Sequence, residues 1–175
     1  MTSNQALDDP QRRVVARWAA ACAGRVAPLF VADPVAEEQI RDALARTLAY
    51  AGGGSTAAEE ITKRMIAVKA AGAATTPAGA AAARSVAQAS AVAHMGAHAL
   101  GAAAYAVKAV TVAEGETVGR AELAWQLAEL TLEEREVLGL LPHLGTDSGG
   151  PLGPGLLSRG ILGDVIREIQ AALRG

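Results

Sequence analysis

The sequence predicts an all-α fold: a single-domain, alanine-rich helical bundle of about seven or eight helices. Of the 175 residues, 42 are alanine and only 3% are aromatic. Alanine is the best helix former, and the residues typical of strands are scarce. Helix-capping signals recur along the chain, and no stretch shows the alternation of a half-buried strand. A chain of this length buries roughly 70% of its unfolded surface, which is enough for one core.

Composition and charge exclude several classes of protein. The net charge of −2 leaves no basic excess for phosphate backbones, so we expect no nucleic-acid partner. The lone Cys22 excludes a disulfide scaffold, and the first residues lack the apolar core of a signal peptide, which together favour the cytoplasm. The uncharged residues 85–107 are long enough to span a bilayer, but they are mostly alanine with polar interruptions. We therefore predict a buried central helix or helix pair there and no membrane association.

The first two helices begin at Asp-Pro pairs, Asp9-Pro10 and Asp33-Pro34, which supply a cap followed by a proline in the first turn. Pro28 interrupts the first helix and is expected to kink or end it. The glycines at 52–54 stop the second helix. Apolar residues three or four apart define the predicted buried faces, which are Val15, Trp18, Cys22, Val26 and Leu29 or Phe30 in the first helix and Ile40, Leu44 and Leu48 in the second.

A capping box from Thr56 to Glu59 opens a third helix, whose buried face is predicted to carry Ile61, Met65 and Val68. The alanine-rich segment that follows starts at residues 76–77 and runs to about residue 113. A single helix of that length would extend about 55 Å, which is too long for a compact domain of this size. We therefore expect a break near residues 95–96.

The last third of the chain begins with a helix at Thr117 and a second capping box from Thr131 to Glu134, whose short helix Pro142 closes. This division gives a helical bundle over residues 1–141, a Gly/Pro-rich loop over 142–155 and an amphipathic helix over 156–175. The final helix is expected to belong to the same domain or to form a homodimer contact. Its apolar face comprises Ile161, Leu162, Val165, Ile166, Ile169 and Leu173.

The uncharged segment carries the candidate catalytic residues His94, His98 and Tyr105, which lie within about 40° on one face of a continuous helix. We expect both imidazoles to be buried and to face the same interior. Three roles are open: packing partners hydrogen-bonded across helices, acid–base groups at a small-molecule site, or two ligands of a metal that needs a third. We predict no metal and no cofactor. The candidate ligand-contacting residues are Lys108, Trp18 and Trp125.

Several stretches are similar to one family of proteins. They are Arg17-Trp18 through Phe30, residues 93–110 with His94, His98, Tyr105 and Lys108, and Glu122 through Gln126. Over about residues 11–141 the chain resembles the Imm-5-like group of bacterial immunity proteins. The resemblance implies a small helical protein of toxin–immunity loci, and it brings no catalytic residues. The chain departs from the family after Leu141.

Two function hypotheses follow. In the first, the chain is a cytosolic interaction protein that binds and neutralises a protein toxin through an exposed, acidic recognition face. In the alternative, it is a small-molecule-binding protein or an enzyme, performing cofactor-independent acid–base chemistry on an apolar substrate in a helical pocket around His94, His98 and Tyr105. Because no catalytic residues come with the family resemblance, we favour the interaction protein over the enzyme.

Overall fold

The computed structural model describes residues 4–175, and within them the chain forms eight α-helices and no strand. The predicted all-α fold is confirmed. The helices are α1 (Asp9–Val26), α2 (Pro34–Ala51), α3 (Ala57–Ala71), α4 (Pro77–Ser90), α5 (His98–Glu114), α6 (Glu116–Glu129), α7 (Leu132–Leu138) and α8 (Gly160–Arg174). In the described part of the chain, no helix combines the length and apolar character needed to cross a membrane.

The helix starts follow the capping signals. Both predicted capping boxes form, with Thr56 and Thr131 each accepting from the backbone amide three residues on and the glutamate there reaching back. Asp33 caps α2 as predicted. The first helix is capped by Asp8, one residue earlier than the predicted Asp9, in a further capping box with Gln11. These bonds satisfy amide groups that have no partner within the helix.

The predicted apolar stripe of α1 is confirmed. Val15, Trp18, Cys22 and Val26 are all 1% exposed or less. The helix ends at Val26, and Pro28 lies in a short 3-10 turn that follows. This stripe packs α1 against α2, α4 and α5, which makes α1 one wall of the core.

The alanine-rich hairpin of α4 and α5 forms the centre of the bundle. Of the 17 residues in α5, 11 are buried, and the helix is surrounded by α1, α4, α6 and α8. Small side chains allow the two backbones to approach, and the Ser85 hydroxyl donates to the Ala102 carbonyl at 2.7 Å. The predicted break is confirmed, because residues 91–97 form turns between the two helices. The Gly96 amide there donates to the Ala6 carbonyl instead of continuing a helix.

The predicted buried face of α3 is wrong. Met65 is 50% exposed and Val68 is 48% exposed, while α3 buries Ala67, Ala70 and Ala71. The small alanine face lets α3 pack closely against the equally small side chains of α4, and this contact turns the larger residues outward. Leu48, predicted to be buried in α2, is likewise 52% exposed.

The C-terminal helix packs on its own chain. Helix α8 lies against α5 and α6, and its buried residues include Leu162, Val165, Ile166 and Ile169. The apolar face that suggested a homodimer is therefore covered within the chain. Self-association stays a prediction, but this face no longer supports it. Helix α7 ends at Leu138, ahead of the predicted stop at Pro142, and no helix occurs in residues 142–155.

Candidate functional site

The two histidines of the candidate site do not share a helix. His94 lies in the turns between α4 and α5 and is exposed, whereas His98 is the first residue of α5 and is half-buried. The expectation that both rings are buried in one interior is therefore wrong for His94. The break in the alanine-rich segment is the physical reason, because the angular relation of residues four apart holds only within a continuous helix.

The His98 ring is held by one hydrogen bond. Its Nδ1 lies 2.8 Å from Oε1 of Gln88 on α4. Because the carboxamide oxygen is an acceptor, Nδ1 carries the proton and Nε2 keeps its free lone pair. Burial lowers the pKa of His98 to about 4, and the nearby charges of His94 and Arg64 act in the same direction. His98 is therefore neutral at pH 7.

Tyr105 and Lys108 follow His98 along α5. Tyr105 is only 4% exposed. Burial raises the pKa of its hydroxyl, and the positive charge of Arg84 on α4 partly opposes this effect. Seven residues separate Tyr105 from His98, so the two lie on the same side of α5 about 20° apart. Lys108, one turn further on, is half-buried.

The two tryptophans predicted to contact a ligand make contacts within the protein. Trp18 is fully buried, and its Nε1 donates to the Gln126 carbonyl at 2.9 Å. Trp125 is half-buried, with the Arg25 guanidinium 3.9 Å from its ring centroid. These contacts join α1 to α6. They use the indole N–H of Trp18 and one ring face of Trp125, the two groups with which these side chains would contact a ligand.

An ion-pair network that the sequence did not reveal joins α1 to α6 and α7. Arg17 pairs with Glu134, which is 2% exposed, and with Glu129 at 3.3 Å. About two helical turns further along α1, Arg25 pairs with Glu122 at 2.8 Å. Cys22 lies between these two arginines in the chain. Burial raises the pKa of its thiol, and the negative charges of Glu122 and Glu134 raise it further. A thiol in this environment is an inert packing residue.

The comparison with protein families supplies the relationship. The family model of the Imm-5 like putative immunity protein matches residues 5–133. The chain belongs to the Imm-5 like family. Neither the comparison with curated proteins nor that with solved structures gives a match. The matched region contains α1 to α6 with Arg17, Arg25, Glu122 and Glu129, whereas Glu134 and α8 lie beyond its end.

This Imm-5 like protein has two grooves that are separate from His98. The first is on the side of α5 away from His98, and the second is formed by other helices. One, of about 350 Å³, lies between α5, α6 and α8, with a floor that includes Val107 and Leu123 and acidic side chains at its rim. The other, of about 460 Å³, lies between α1, α2 and the start of α7 and is flanked by Leu48. Within residues 4–175, no group of three or more His, Cys, Asp or Glu is arranged to hold a metal ion.

One segment of the matched region carries basic side chains and no acidic ones. Residues 61–113 contain five lysines and arginines and no aspartate or glutamate. This acid-free segment covers most of α3 and all of α4, together with most of α5. The absence of acidic residues from this segment can be read from the sequence. The overall charge of −2 does not show it, because the acidic residues are concentrated elsewhere.

Proposed function

We propose that this Imm-5 like protein is a bacterial immunity protein that acts in the cytoplasm by binding and neutralising a protein toxin. The observation that carries the proposal is the match of the family model over residues 5–133. These residues form the central bundle and supply most of its core. A binding protein needs a rigid framework and an exposed recognition surface, and it needs no catalytic group.

The packing of the bundle supports a binding role. The candidate residues His94 and His98 do not converge in a common interior, and Trp18 and Trp125 are engaged in packing. By contrast, several large aliphatic side chains of the matched region are exposed, among them Met65 and Val68. Exposed aliphatic side chains next to charged residues are typical of surfaces that bind another protein.

The test is co-expression with candidate toxins, beginning with any that the neighbouring genes encode. We expect cells that produce the toxin to grow when the Imm-5 like protein is present and to stop growing when it is absent. The two purified proteins should also elute together in size-exclusion chromatography. Growth arrest despite soluble, folded Imm-5 like protein would contradict the proposed function.

One observation favours a second candidate function, the binding of a small molecule at His98 and Tyr105. The His98 imidazole is neutral at pH 7, and its bond to Gln88 leaves Nε2 as a base. A thermal-shift screen with apolar carbonyl compounds tests this candidate. A compound that raises the melting temperature of the wild type should have no effect on His98→Gln. A screen in which every active compound stabilises both proteins equally would contradict a site at His98.

A further inference from the structure

Helix α3 presents an apolar stripe to solvent. At 100° per residue, Ile61, Met65 and Val68 fall within an arc of about 60°. The buried Ala67, Ala70 and Ala71 lie about 80° to 180° from the centre of this stripe. Met65 and Val68 are 50% and 48% exposed. Single exposed aliphatic residues are ordinary, but a stripe along one helix forms a continuous patch that a partner can cover.

Cations flank this stripe. In the same angular projection, Arg64 lies on one edge of the stripe and Lys69 lies on the other, with Lys63 further round the helix. The nearest acidic residues are already engaged. Glu59 caps the start of α3, and the buried Glu60 pairs with Arg46 at 3.0 Å. The stripe therefore has a cationic border without a local counter-charge.

The pairing of cations distinguishes this part of the molecule from the rest. None of the five cations in residues 61–113 forms an ion pair within residues 4–175. Of the eleven cations elsewhere, eight form one: Arg12, Arg13, Arg17, Arg25, Arg41, Arg46, Arg120 and Arg167. An uncompensated positive charge beside an apolar patch is complementary to a surface that carries acidic side chains around an apolar centre.

We infer that the exposed face of α3, formed by Ile61, Met65 and Val68 with Arg64 and Lys69 at its edges, is the docking surface for the toxin. This inference rests on the proposed function. It assigns the toxin a contact surface of aliphatic side chains bordered by aspartates or glutamates. The recognition face of the Imm-5 like protein is then apolar and cationic, instead of the acidic face that its net charge suggests.

The same features disfavour other occupants. A helix that binds a lipid surface carries a wide apolar face, usually with aromatic or leucine residues, and many basic residues on its polar side. The stripe on α3 is narrow, contains neither aromatic residues nor leucine, and has two cations at its edges. A nucleic acid would require cations at the centre of the contact, where α3 has aliphatic side chains.

The experiment measures binding to an inactivated form of the toxin whose growth arrest the protein relieves, immobilised for interferometry. The first variant, Met65→Ser with Val68→Ser, removes the apolar contact, and the second, Lys69→Glu, reverses the charge of the exposed border cation. The matched controls are Val35→Ser with Leu156→Ser, two residues that are 66% and 63% exposed, and Arg159→Glu. We expect about tenfold or greater loss of affinity for both α3 variants and less than about threefold loss for the controls.

The outcomes separate the two proposals. Failure of the wild type to bind the toxin would overturn the proposed function and this inference together. Tight binding by the wild type with α3 variants that behave like the controls would overturn the inference alone. Circular dichroism should show equal melting temperatures for all variants, because the substituted side chains are exposed. A lower melting temperature in both α3 variants, with toxin affinity restored on cooling, would also overturn the inference.

Two further measurements test the other occupants. Vesicles of phosphatidylglycerol and phosphatidylcholine should not bind the protein at physiological salt. If the protein floats with the vesicles and the Lys69→Glu variant does not, the occupant of this face is a lipid surface and not the toxin. Light scattering should give the same mass for the wild type and the Met65→Ser, Val68→Ser variant. If the wild type is a dimer and this variant is a monomer, the occupant of the α3 face is a second copy of the chain and not the toxin.

Discussion

At the scale of single residues, solvent exposure separates side chains that look alike in the sequence. His94 and His98 are four residues apart, but the turn between α4 and α5 exposes the first while the second is packed beside Gln88. Arg17 and Arg41 both pair with glutamates, yet Glu134 is buried and Glu38 is 71% exposed. Equivalent substitutions at such positions should therefore have unequal effects.

The His98→Gln variant should lose part of the pH dependence of folding stability. The pKa of His98 is lowered to about 4 in the folded protein, so the unfolded chain binds more protons between that value and its ordinary pKa near 6.5. The contribution of His98 to the folding stability is thus fully present above pH 6.5, and it is lost as the pH drops toward 4. We expect His98 to account for on the order of 2 kcal/mol of this loss.

Urea unfolding at pH 7, 5.5 and 4.5 measures this effect, with His94→Gln as the control because the His94 ring is exposed. The stability of His98→Gln should decline less between pH 7 and 4.5 than that of the wild type. Parallel declines in the wild type and His98→Gln would show that His98 is not the titrating group.

Arg17→Ala should destabilise the protein by about 1–3 kcal/mol, because it leaves the carboxylate of Glu134 buried without its counter-charge. The estimate lies below that for a fully buried pair, since the Arg17 side chain is 40% exposed. The control Arg41→Ala removes a surface pair with Glu38 and should cost about 0–0.5 kcal/mol. Equal unfolding midpoints for the two variants in urea would contradict a structural role of the Arg17 network.

At the scale of elements, the helices begin where local capping chemistry dictates and pack where small side chains permit. The capping boxes at Thr56 and Thr131 are local, so they form independently of the rest of the fold. The packing of α3 is not local, because the alanine surface of α4 selects its alanine face and leaves Met65 in solvent. Helix α8 shows the opposite case, in which the larger apolar residues are those that pack.

Helix α8 should be essential for the stability of the bundle although it lies outside the family match. Ile166 is fully buried against the bundle, so Ile166→Ala should cost about 2–5 kcal/mol. The control Leu156→Ala, at a side chain that is 63% exposed, should change stability by less than about 0.5 kcal/mol. Both values follow from urea unfolding at pH 7. If Ile166→Ala unfolds like the wild type, α8 does not contribute to the core.

At the scale of the whole molecule, Gln5 connects the start of the chain to its C-terminal loop. The backbone carbonyl of Gln5 accepts from the amide of Ala97, beside the start of α5. The buried side chain donates to Asp147 at 2.7 Å and to the Gly149 carbonyl at 2.8 Å, and it accepts from the Leu152 amide at 2.8 Å. One residue therefore fixes the turn before α5 and the Gly/Pro-rich loop at the same time.

Gly150 is required by this connection. It has a φ of +72°, and a Cβ at this position would lie 2.7 Å from Oε1 of Gln5. Both the backbone conformation and the lack of space favour glycine. The Gly/Pro-rich loop is therefore shaped by a contact with the opposite end of the chain.

Gln5→Ala should loosen the loop and destabilise the fold by about 1–3 kcal/mol, because it leaves the buried Leu152 amide and the Gly149 carbonyl without their partners. Hydrogen exchange should become faster at residues 145–152 while the centre of α5 stays protected. The control Gln39→Ala changes a half-buried glutamine on α2 and should leave exchange unchanged. Unchanged exchange at residues 145–152 in Gln5→Ala would contradict the connecting role.

The sequence by itself determined the all-α class, most helix starts and the apolar stripe of α1, and it indicated the Imm-5 like family. Capping and helix propensity act over a few residues, and the stripe of α1 had a single apolar face to bury. The break after α4 was also predictable, because a longer helix would not fit the domain. The candidate residues His94, His98 and Tyr105 were identified from a helix assumed to be continuous.

Only the tertiary structure decided which face of α3 is buried, where His94 points and what covers α8. Helix α3 had two faces that could pack, one of alanines and one of larger aliphatic residues, and hydrophobicity alone favours the larger. The small side chains of α4 instead favour close approach of backbones, which the alanine face allows. The side-chain partners of Arg17 and Gln5 are more than a hundred residues away in the chain, so no local pattern could identify them.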